Sequence, residues 1–222
     1  MAKPRKKRAA KAPIIKFCTE LHVDGVAAMA AAVKERRDNV VVPMMAMGAP
    51  DGVASPALEM AAVITKLWRR GRTLKISFMG KINPVVKKKI RQFAGQWLDY
   101  ANLKFRFVAS GGHIRISTTP GGSWSYIGTD ALAIPANRPT MNFGWFSAQT
   151  PDEEFSRTIL HEFGHALGAI HEHQHPSGGI PWDKPKVYAY YAQQGWDQAK
   201  VDQNIFAKYQ SNQLNMTTYD RA

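Results

Sequence analysis

The sequence has little cysteine, no long apolar run and no negative charge in its first 16 residues. Its single cysteine, Cys18, excludes an intrachain disulfide and with it the class of small disulfide-stapled secreted proteins. The longest apolar-rich stretches, residues 26–33 and 40–47, fall well short of the roughly 20 residues that a membrane-spanning helix needs. The basic N-terminus also lacks the apolar core of a secretory signal, so a cytoplasmic protein is the default prediction.

The net charge of +13 is concentrated in two segments without anions. Residues 1–16 carry seven cations and residues 60–98 carry ten more. The first segment is predicted to be a disordered basic tail. The lysines of the second are predicted to form the solvent face of an amphipathic helix that Asn83 and Pro84 begin. A basic nucleic-acid-associated protein, whose binding would weaken steeply with salt, stays open as an alternative function.

Alternating apolar and polar residues predict an α+β domain over residues 61–222. Strands are predicted at about 74–78, 103–108, 114–116, 124–128 and 140–146. Because these strands flank a helix, we expect a twisted mixed sheet with helices packed on it. Residues 17–60 are predicted to hold a short alanine-rich helix, at about 26–36, and a linker of unknown role.

A second helix is predicted to begin after residue 150. Thr150 and Glu153 have the spacing of a capping box, and acidic residues follow where the helix dipole favours negative charge. His161 and His165 are four residues apart, about 40° around the axis and roughly 6 Å along it. Two imidazoles on one helix face can bind a single metal ion.

The chain after this helix is predicted to supply a third ligand. Gly168 ends the helix where a left-handed conformation is favoured, and the reversed chain can carry His171 back toward the other histidines. Three neutral imidazoles leave a tetrahedral zinc ion with an open position for water, as in catalytic sites. Glu162 lies about 100° around the helix from His161. We therefore expect Glu162 to be the general base toward a zinc-activated water that attacks a peptide carbonyl.

The run His-Glu-Phe-Gly-His-Ala-Leu-Gly-Ala-Ile-His, from His161 to His171, resembles the long zinc-binding signature of the metzincin metallopeptidases. Glu172 directly after it makes the run similar to the astacin-type branch and its bacterial relatives. The resemblance implies a zincin-like catalytic domain, in which a twisted mixed sheet and two long helices lie above a cleft and a mostly helical or irregular half lies below. It also implies one catalytic Zn²⁺ ion, endopeptidase activity and peptide or protein substrates. Relatives are often exported.

The resemblance further implies an edge strand above the zinc ion that pairs with an extended peptide substrate. The candidate residues for this strand are Trp124, Ser125, Tyr126, Ile127 and Gly128. Backbone pairing of this kind gives affinity without sequence preference. Gly168 and Glu172 are expected to be structural at the site, with Glu172 orienting the loop through a salt bridge.

The C-terminal residues depart from the metzincin pattern. In the astacin type, the methionine turn beneath the metal reads Ser-x-Met-x-Tyr, whereas Met216 lacks the serine and is followed by Tyr219 three positions later. The favoured interpretation is a sequence truncated before the true turn, and the alternative is a variant turn formed by Met216 and Tyr219. A zinc-binding but inactive peptide-binding module therefore remains an alternative to an active peptidase.

Three further side chains with metal-binding atoms are interpreted as structural. Cys18 could block the zinc ion as a latency switch, as in some relatives, but the residues around it lack the signature of such switches. A plain buried thiol is the favoured interpretation. His173 and His175 are expected to be exposed loop residues.

Overall fold

The computed structural model describes Lys16 and residues 18–23, 25–40 and 61–216. Its strands and helices are β1 (Cys18–Leu21), α1 (Val26–Glu35), β2 (Ala61–Val63), β3 (Thr73–Phe78), α2 (Pro84–Ala94), β4 (Lys104–Phe107), β5 (Ile114–Ser117), β6 (Ser123–Tyr126), β7 (Met141–Phe143), α3 (Asp152–Leu167), α4 (Lys184–Ala192), α5 (Gln198–Val201) and β8 (Leu214–Met216). No helix among the described residues is long and apolar enough to cross a membrane. Nothing in these residues supports the default assignment to the cytoplasm.

Six of the strands form one mixed sheet in the order β1-β6-β7-β5-β3-β4. Only β6 and β7 are antiparallel, and the other neighbouring pairs are parallel. A separate two-stranded antiparallel sheet joins β2 to β8. The α+β class and the mixed sheet expected from the alternating patterns are therefore confirmed.

The helices α2 and α3 pack on each other and on the sheet, and they bury the main core. The core includes Leu74, Ile76, Val86, Ile90, Phe93, Ile114, Ile116, Met141, Phe143, Phe155, Ile159 and Phe163. Two indoles also fix α3, because Trp97 Nε1 donates to the Leu160 carbonyl at 3.0 Å and Trp68 Nε1 donates to the Ala166 carbonyl at 2.8 Å. A Cβ on Gly164 would lie 3.2 Å from the Trp97 ring, so the glycine allows this close packing. The core thereby sets the position of the histidine-bearing helix.

The predicted start of α2 is confirmed, whereas the predicted capping box of α3 is wrong. Asn83 begins α2, and its side chain accepts a hydrogen bond from the backbone N–H of Val85 at 2.9 Å. At α3, Pro151 occupies the N-cap position and no side chain caps the helix. Thr150 Oγ1 instead accepts a hydrogen bond from the Ser147 N–H in the preceding turn. That turn competes for the hydroxyl that the capping box would have used.

The described part of residues 18–40 packs on the same sheet as the residues after 61. β1 pairs in parallel with β6 over its whole length. The helix predicted at about 26–36 is confirmed as α1. The backbone N–H of Val23 donates to Asp130 Oδ2 at 2.9 Å, and Lys66 Nζ lies 2.6 Å from the same oxygen. The N-terminal segment is thus joined to the rest of the domain by strand pairing and by the hydrogen bond from Val23 to Asp130, whose carboxylate also pairs with Lys66.

Candidate metal centre

Three imidazoles meet beside the last two turns of α3. The Nε2 atoms of His161 and His165 lie 3.1 Å apart on consecutive turns of the helix. The Nε2 atom of His171 lies 3.1 Å from that of His161 and 3.2 Å from that of His165. Gly168, with a φ of 113°, ends the helix and reverses the chain. The structure therefore brings the three sequence-predicted ligands to one point.

The electrostatics of the site keep two of these rings neutral at neutral pH. Burial, reinforced by the neighbouring imidazoles, lowers the pKa of His161 to about 3. Burial also lowers the pKa of His165 to about 4. The Nδ1 atom of His165 lies 2.9 Å from the Ala169 carbonyl oxygen. Because a carbonyl only accepts hydrogen bonds, Nδ1 carries the proton and Nε2 keeps its lone pair for a cation.

The spacing of the nitrogens fits a zinc ion. Zn–N distances of about 2.0–2.1 Å in a tetrahedral site place the ligand nitrogens about 3.3 Å apart. The observed separations of 3.1–3.2 Å are close to that value. Among the residues that the structure describes, one group has the donor atoms and the spacing to hold a metal ion, and it consists of Cys18, His161, His165 and His171.

Cys18 is the fourth member of this group, so the buried thiol expected from the sequence lies at the metal centre and not apart from it. The four potential ligand atoms all lie within 4.8 Å of one another. The Cys18 thiol also donates a hydrogen bond to Glu162 Oε2 at 3.3 Å. Burial raises the pKa of this thiol well above its ordinary value, so the sulfur is protonated when no cation is present. Strand β1 therefore delivers a sulfur atom to the centre of the site.

Glu162 lies beside the three histidines and is fully buried. Its Oε2 accepts from Cys18, whereas its Oε1 has no hydrogen-bond partner among the described residues. Burial raises the pKa of Glu162 to about 8. A buried carboxylate oxygen without a partner is costly, which suggests that it faces a group supplied by a ligand or solvent.

The predicted substrate strand lies next to the site, but its edge is not free. Residues Ser123–Tyr126 form β6, which pairs with β7 on one side and with β1 on the other. Ile127 is fully buried, and Gly128 begins a 3₁₀ turn with a φ of 51°. Residues Cys18–Leu21 of the same chain thus occupy the edge at which a peptide substrate is expected.

Two clefts are candidates for the functional site, and the smaller one is lined by histidines. It has a volume of about 170 Å³ and is lined by Lys16, Cys18, Trp145, Arg157, Thr158, His161, Glu162, His171, His173, Tyr191, Asn204 and Ile205. The larger cleft, of about 760 Å³, lies between α1 and the side chains of Arg69 and Arg72. Its lining is mostly charged and includes no histidine or cysteine. The donor atoms, rather than the volume, identify the smaller cleft as the site.

The expectation that His173 and His175 are exposed is wrong. His175 is 4% exposed, and His173 is half-buried. The His173 ring stacks on His171 with a centroid separation of 5.0 Å, and its Nε2 lies 2.9 Å from the Asn204 carbonyl oxygen. Residues that follow α4 therefore cover this loop, and the polar loop sequence carries no pattern that signals such burial.

Three other predicted residues receive no test from the structure. Glu172 makes no ion pair with the described residues, so its structural role stays a prediction. Met216 ends β8, which pairs with β2, but the Met216 side chain lies outside the described residues. All of Tyr219 lies outside them as well. The variant methionine turn therefore also stays a prediction.

Solved structures of myroilysin match this chain. One is 52% identical, covers 72% of this chain and 79% of its own, and has a TM-score of 0.69. A second is 49% identical, covers 71% and 69% respectively, and has a TM-score of 0.55. The chain belongs to the astacin-like metzincins. A hatching enzyme zinc-protease from the medaka fish Oryzias latipes is 17% identical over 70% of each chain, with a TM-score of 0.48, which is too remote to assign a function. No protein-family model and no curated protein matches the sequence.

One buried residue at the metal centre of this metzincin, Glu20, is not among the residues predicted from the sequence. Glu20 on β1 is 5% exposed, and its Oε1 accepts the backbone N–H of His171 at 2.6 Å. Although burial opposes its ionisation, the contacts with His171 and His22 hold the pKa of Glu20 well below its ordinary value. The sequence signal that could have identified Glu20 is its spacing from Cys18, because residues two apart on a strand share a face. A strand that places Cys18 at the metal centre therefore places Glu20 there too.

Proposed function

We propose that this metzincin is a zinc-dependent endopeptidase and that the intact chain is its latent form. The observation that carries the proposal is the convergence of three imidazole nitrogens, 3.1–3.2 Å apart, beside the fully buried Glu162. His161, His165 and His171 would hold the ion. A zinc ion in this position would polarise the scissile carbonyl and acidify a water molecule.

Glu162 would move the protons of the reaction. It follows His161 directly in α3, so the helix fixes its carboxylate near the ligands without making it one of them. The carboxylate would accept a proton from the attacking water and pass it to the nitrogen of the leaving amine. Its burial excludes bulk solvent, which strengthens the interaction of this charge with the reacting groups.

A peptide or protein substrate would bind along β6. The backbone N–H and C=O groups of Ser123–Tyr126 that now pair with β1 are the ones an extended peptide would use. Main-chain pairing positions a peptide largely independently of its side chains. This strand therefore supports an endopeptidase that accepts extended segments of polypeptide.

The segment that carries Cys18 would keep the intact chain inactive in two ways. The Cys18 sulfur lies among the three histidine nitrogens, and its thiol is hydrogen-bonded to Glu162, so it competes both for the ion and for the base. Strand β1 covers the substrate edge of β6 at the same time. Displacement of this single short strand would uncover the metal centre, the base and the substrate strand together.

The proposal is tested by hydrolysis of casein by the purified chain before and after limited trypsin treatment, with and without the chelator 1,10-phenanthroline. Arg37 is exposed in the turn after α1, which makes it a target for trypsin. Cleavage of casein is expected to rise after removal of the N-terminal segment, to stop with the chelator and to be lost in Glu162→Ala. Zinc binding without cleavage by any form would favour the inactive peptide-binding module. Cleavage that survives Glu162→Ala would exclude this base.

A further inference from the structure

We propose that Glu20, carried by β1, is a positioning residue for the metal ligands, so that the N-terminal strand helps the intact chain to acquire and retain zinc as well as blocking the site. This inference rests on the proposed function, because it assumes that the three histidines hold the ion. It assigns β1 a second role, in which the strand completes the surroundings of the metal centre.

The contacts of Glu20 place one buried carboxylate against two of the three histidines. Its Oε1 accepts the backbone N–H of His171 at 2.6 Å and lies 3.0 Å from the His171 Nδ1. The same oxygen lies 3.8 Å from the Nδ1 of His165. Both Nδ1 atoms are on the sides of the rings opposite the converging Nε2 atoms. Glu20 therefore contacts the ligands from behind, where it cannot compete for the metal.

The carboxylate selects the ring form that binds a cation. The negative charge of Glu20, 3.0 Å from the His171 Nδ1, favours the proton on that nitrogen and leaves the lone pair on Nε2, although the two atoms form no hydrogen bond in the structure. A carboxylate behind a metal-bound histidine also makes the imidazole a stronger ligand and fixes its orientation. His171 has the greatest need of this support, because it lies in the turn after α3, whereas His161 and His165 are held by the helix itself.

The strand segment that presents the carboxylate is itself held in place. Glu20 Oε2 lies 3.4 Å from the His22 Nε2, and that nitrogen lies 3.2 Å from the Tyr209 hydroxyl. The backbone N–H of Val23 is bound to Asp130 one residue further along. The hydrogen bond of Val23 and the pairing of β1 with β6 thus restrain the short segment that presents Glu20. A restrained carboxylate can orient His171, whereas a freely rotating one could not.

Glu20 and Cys18 act on the site differently although they share a strand face. Cys18 presents sulfur to the ion position, and Glu20 presents oxygen to the outer nitrogens of the ligands. Loss of Cys18 would open the site, whereas loss of Glu20 would leave it blocked but loosen the histidines. Detachment of β1 removes both groups, so the released enzyme is expected to hold zinc less tightly than the intact chain does.

The inference is tested by the zinc affinity of the full chain, measured by competition with a chromophoric chelator. Four forms are compared, namely the natural chain, Glu20→Gln, Cys18→Ala and the double variant. Glu20→Gln is expected to raise the zinc dissociation constant about 10–100-fold, both with and without Cys18. Glu35→Gln is the matched control, because Glu35 pairs with Arg72 at 3.1 Å away from the metal centre, and it should leave the constant unchanged.

Two further measurements separate a positioning role from a loss of folding. In the zinc-loaded chain, the Nδ1 proton of His171 should give a protected NMR signal that shifts or broadens in Glu20→Gln and not in Glu35→Gln. If Glu20→Gln does not give the far-UV circular dichroism of the folded chain, Glu20→Asp replaces it, and its shorter side chain should still weaken zinc binding.

The outcomes distinguish this inference from the proposed function. If the natural chain binds zinc and the folded Glu20 variant binds it equally tightly, the positioning role is overturned and the peptidase assignment stands. If the natural chain binds no zinc, the proposed function fails first, and this inference fails with it. A weaker zinc complex in Glu20→Gln together with an unchanged one in Glu35→Gln supports both.

Discussion

The two segments that meet at the metal centre, α3 and β1, are held to the molecule by different forces. Helix α3 buries Phe155, Ile159 and Phe163 to 1% exposure or less. Complete burial of each such side chain contributes about 1.5–3 kcal/mol. Strand β1 has four residues, and the one that it buries is Glu20, a charged group. Its attachment depends on backbone pairing with β6, in which each hydrogen bond contributes about 0.5–1.5 kcal/mol.

The site therefore has two halves. The permanent half consists of the three histidines and Glu162, and the removable half consists of Cys18 and Glu20 on β1. The three histidines and Glu162 lie on α3 and on the turn that Gly168 begins, which cannot move without opening the core. Cys18 and Glu20 lie on a short strand at the end of the sheet, where local opening costs less than unfolding of the domain. A segment held in this way can block the site in one state and leave it in another.

Removal of a metal ligand from the permanent half should give the largest effect on the protein. His165→Ala removes a ligand, and because the loss of an outer contact to a ligand already costs about 10–100-fold in metal affinity, the zinc dissociation constant should rise by more than about 100-fold. Zinc content after dialysis measures the change. His113→Ala is the control, since His113 accepts the Lys75 N–H away from the site. Full zinc retention by His165→Ala would contradict the ligand assignment.

Removal of the base should separate catalysis from metal binding. In the Cys18→Ala chain, Glu162→Gln should lower kcat/KM for a peptide substrate by about 10²–10⁴-fold, because proton transfer by a positioned group contributes that much. The zinc content should stay the same, since Glu162 is not a ligand. Glu153→Gln, on the exposed first turn of α3, should leave both quantities unaltered. Activity within twofold of the parent would refute the role of Glu162.

Removal of the Cys18 sulfur should weaken the blocking of the site by β1 and leave the three histidines and Glu162 unchanged. Cys18→Ala eliminates the contacts of the thiol with the site. If these contacts stabilise the blocked state by about 1.4 kcal/mol, their loss should raise the basal cleavage of casein about tenfold. Thr19→Ala alters the opposite face of the same strand and should leave the basal rate unchanged. Equal basal rates for Cys18→Ala and the natural chain would show that the thiol does not contribute to latency.

The smallest effect concerns the turn that returns His171. Gly168→Ala would place a side chain at a φ of 113°, with its Cβ 3.0 Å from Leu67 Cδ2. The strain should cost about 1–2 kcal/mol and lower the melting temperature by about 2–8 °C. Gly95→Ala is the matched control, because its backbone is right-handed helical and a Cβ there meets open space. Equal melting temperatures for the two variants would show that an alanine at position 168 causes no additional backbone strain.

The sequence predicts the permanent half of the site because its geometry is local. A spacing of four residues fixes His161 and His165 on one helix face, and a glycine is the residue that most easily adopts the positive φ that ends the helix. Alternation likewise predicts β3 and β4, because the apolar residues Leu74, Ile76, Phe105 and Phe107 lie in or against the core. Neither inference requires knowledge of distant contacts.

The position of β1 could not be predicted from its own residues. The strand is short, its burial follows no apolar alternation, and its partner β6 lies about 100 residues further along the chain. Pairing over that distance depends on the finished sheet, so the roles of Cys18 and Glu20 emerge only in the folded molecule. The misjudged exposure of His173 has a similar origin, because its ring lies against the carbonyl of Asn204, a later residue of the chain.

The central claim is that α3, the turn after it and β1 together form a zinc site with three nitrogen ligands and one sulfur ligand in the intact chain. Zinc K-edge X-ray absorption on the purified full chain tests it most directly. We expect one zinc ion per chain, with three nitrogens at about 2.0–2.1 Å and one sulfur at about 2.3 Å, and loss of the sulfur shell in Cys18→Ala. A chain without zinc, or with a zinc shell made only of oxygen, would contradict it.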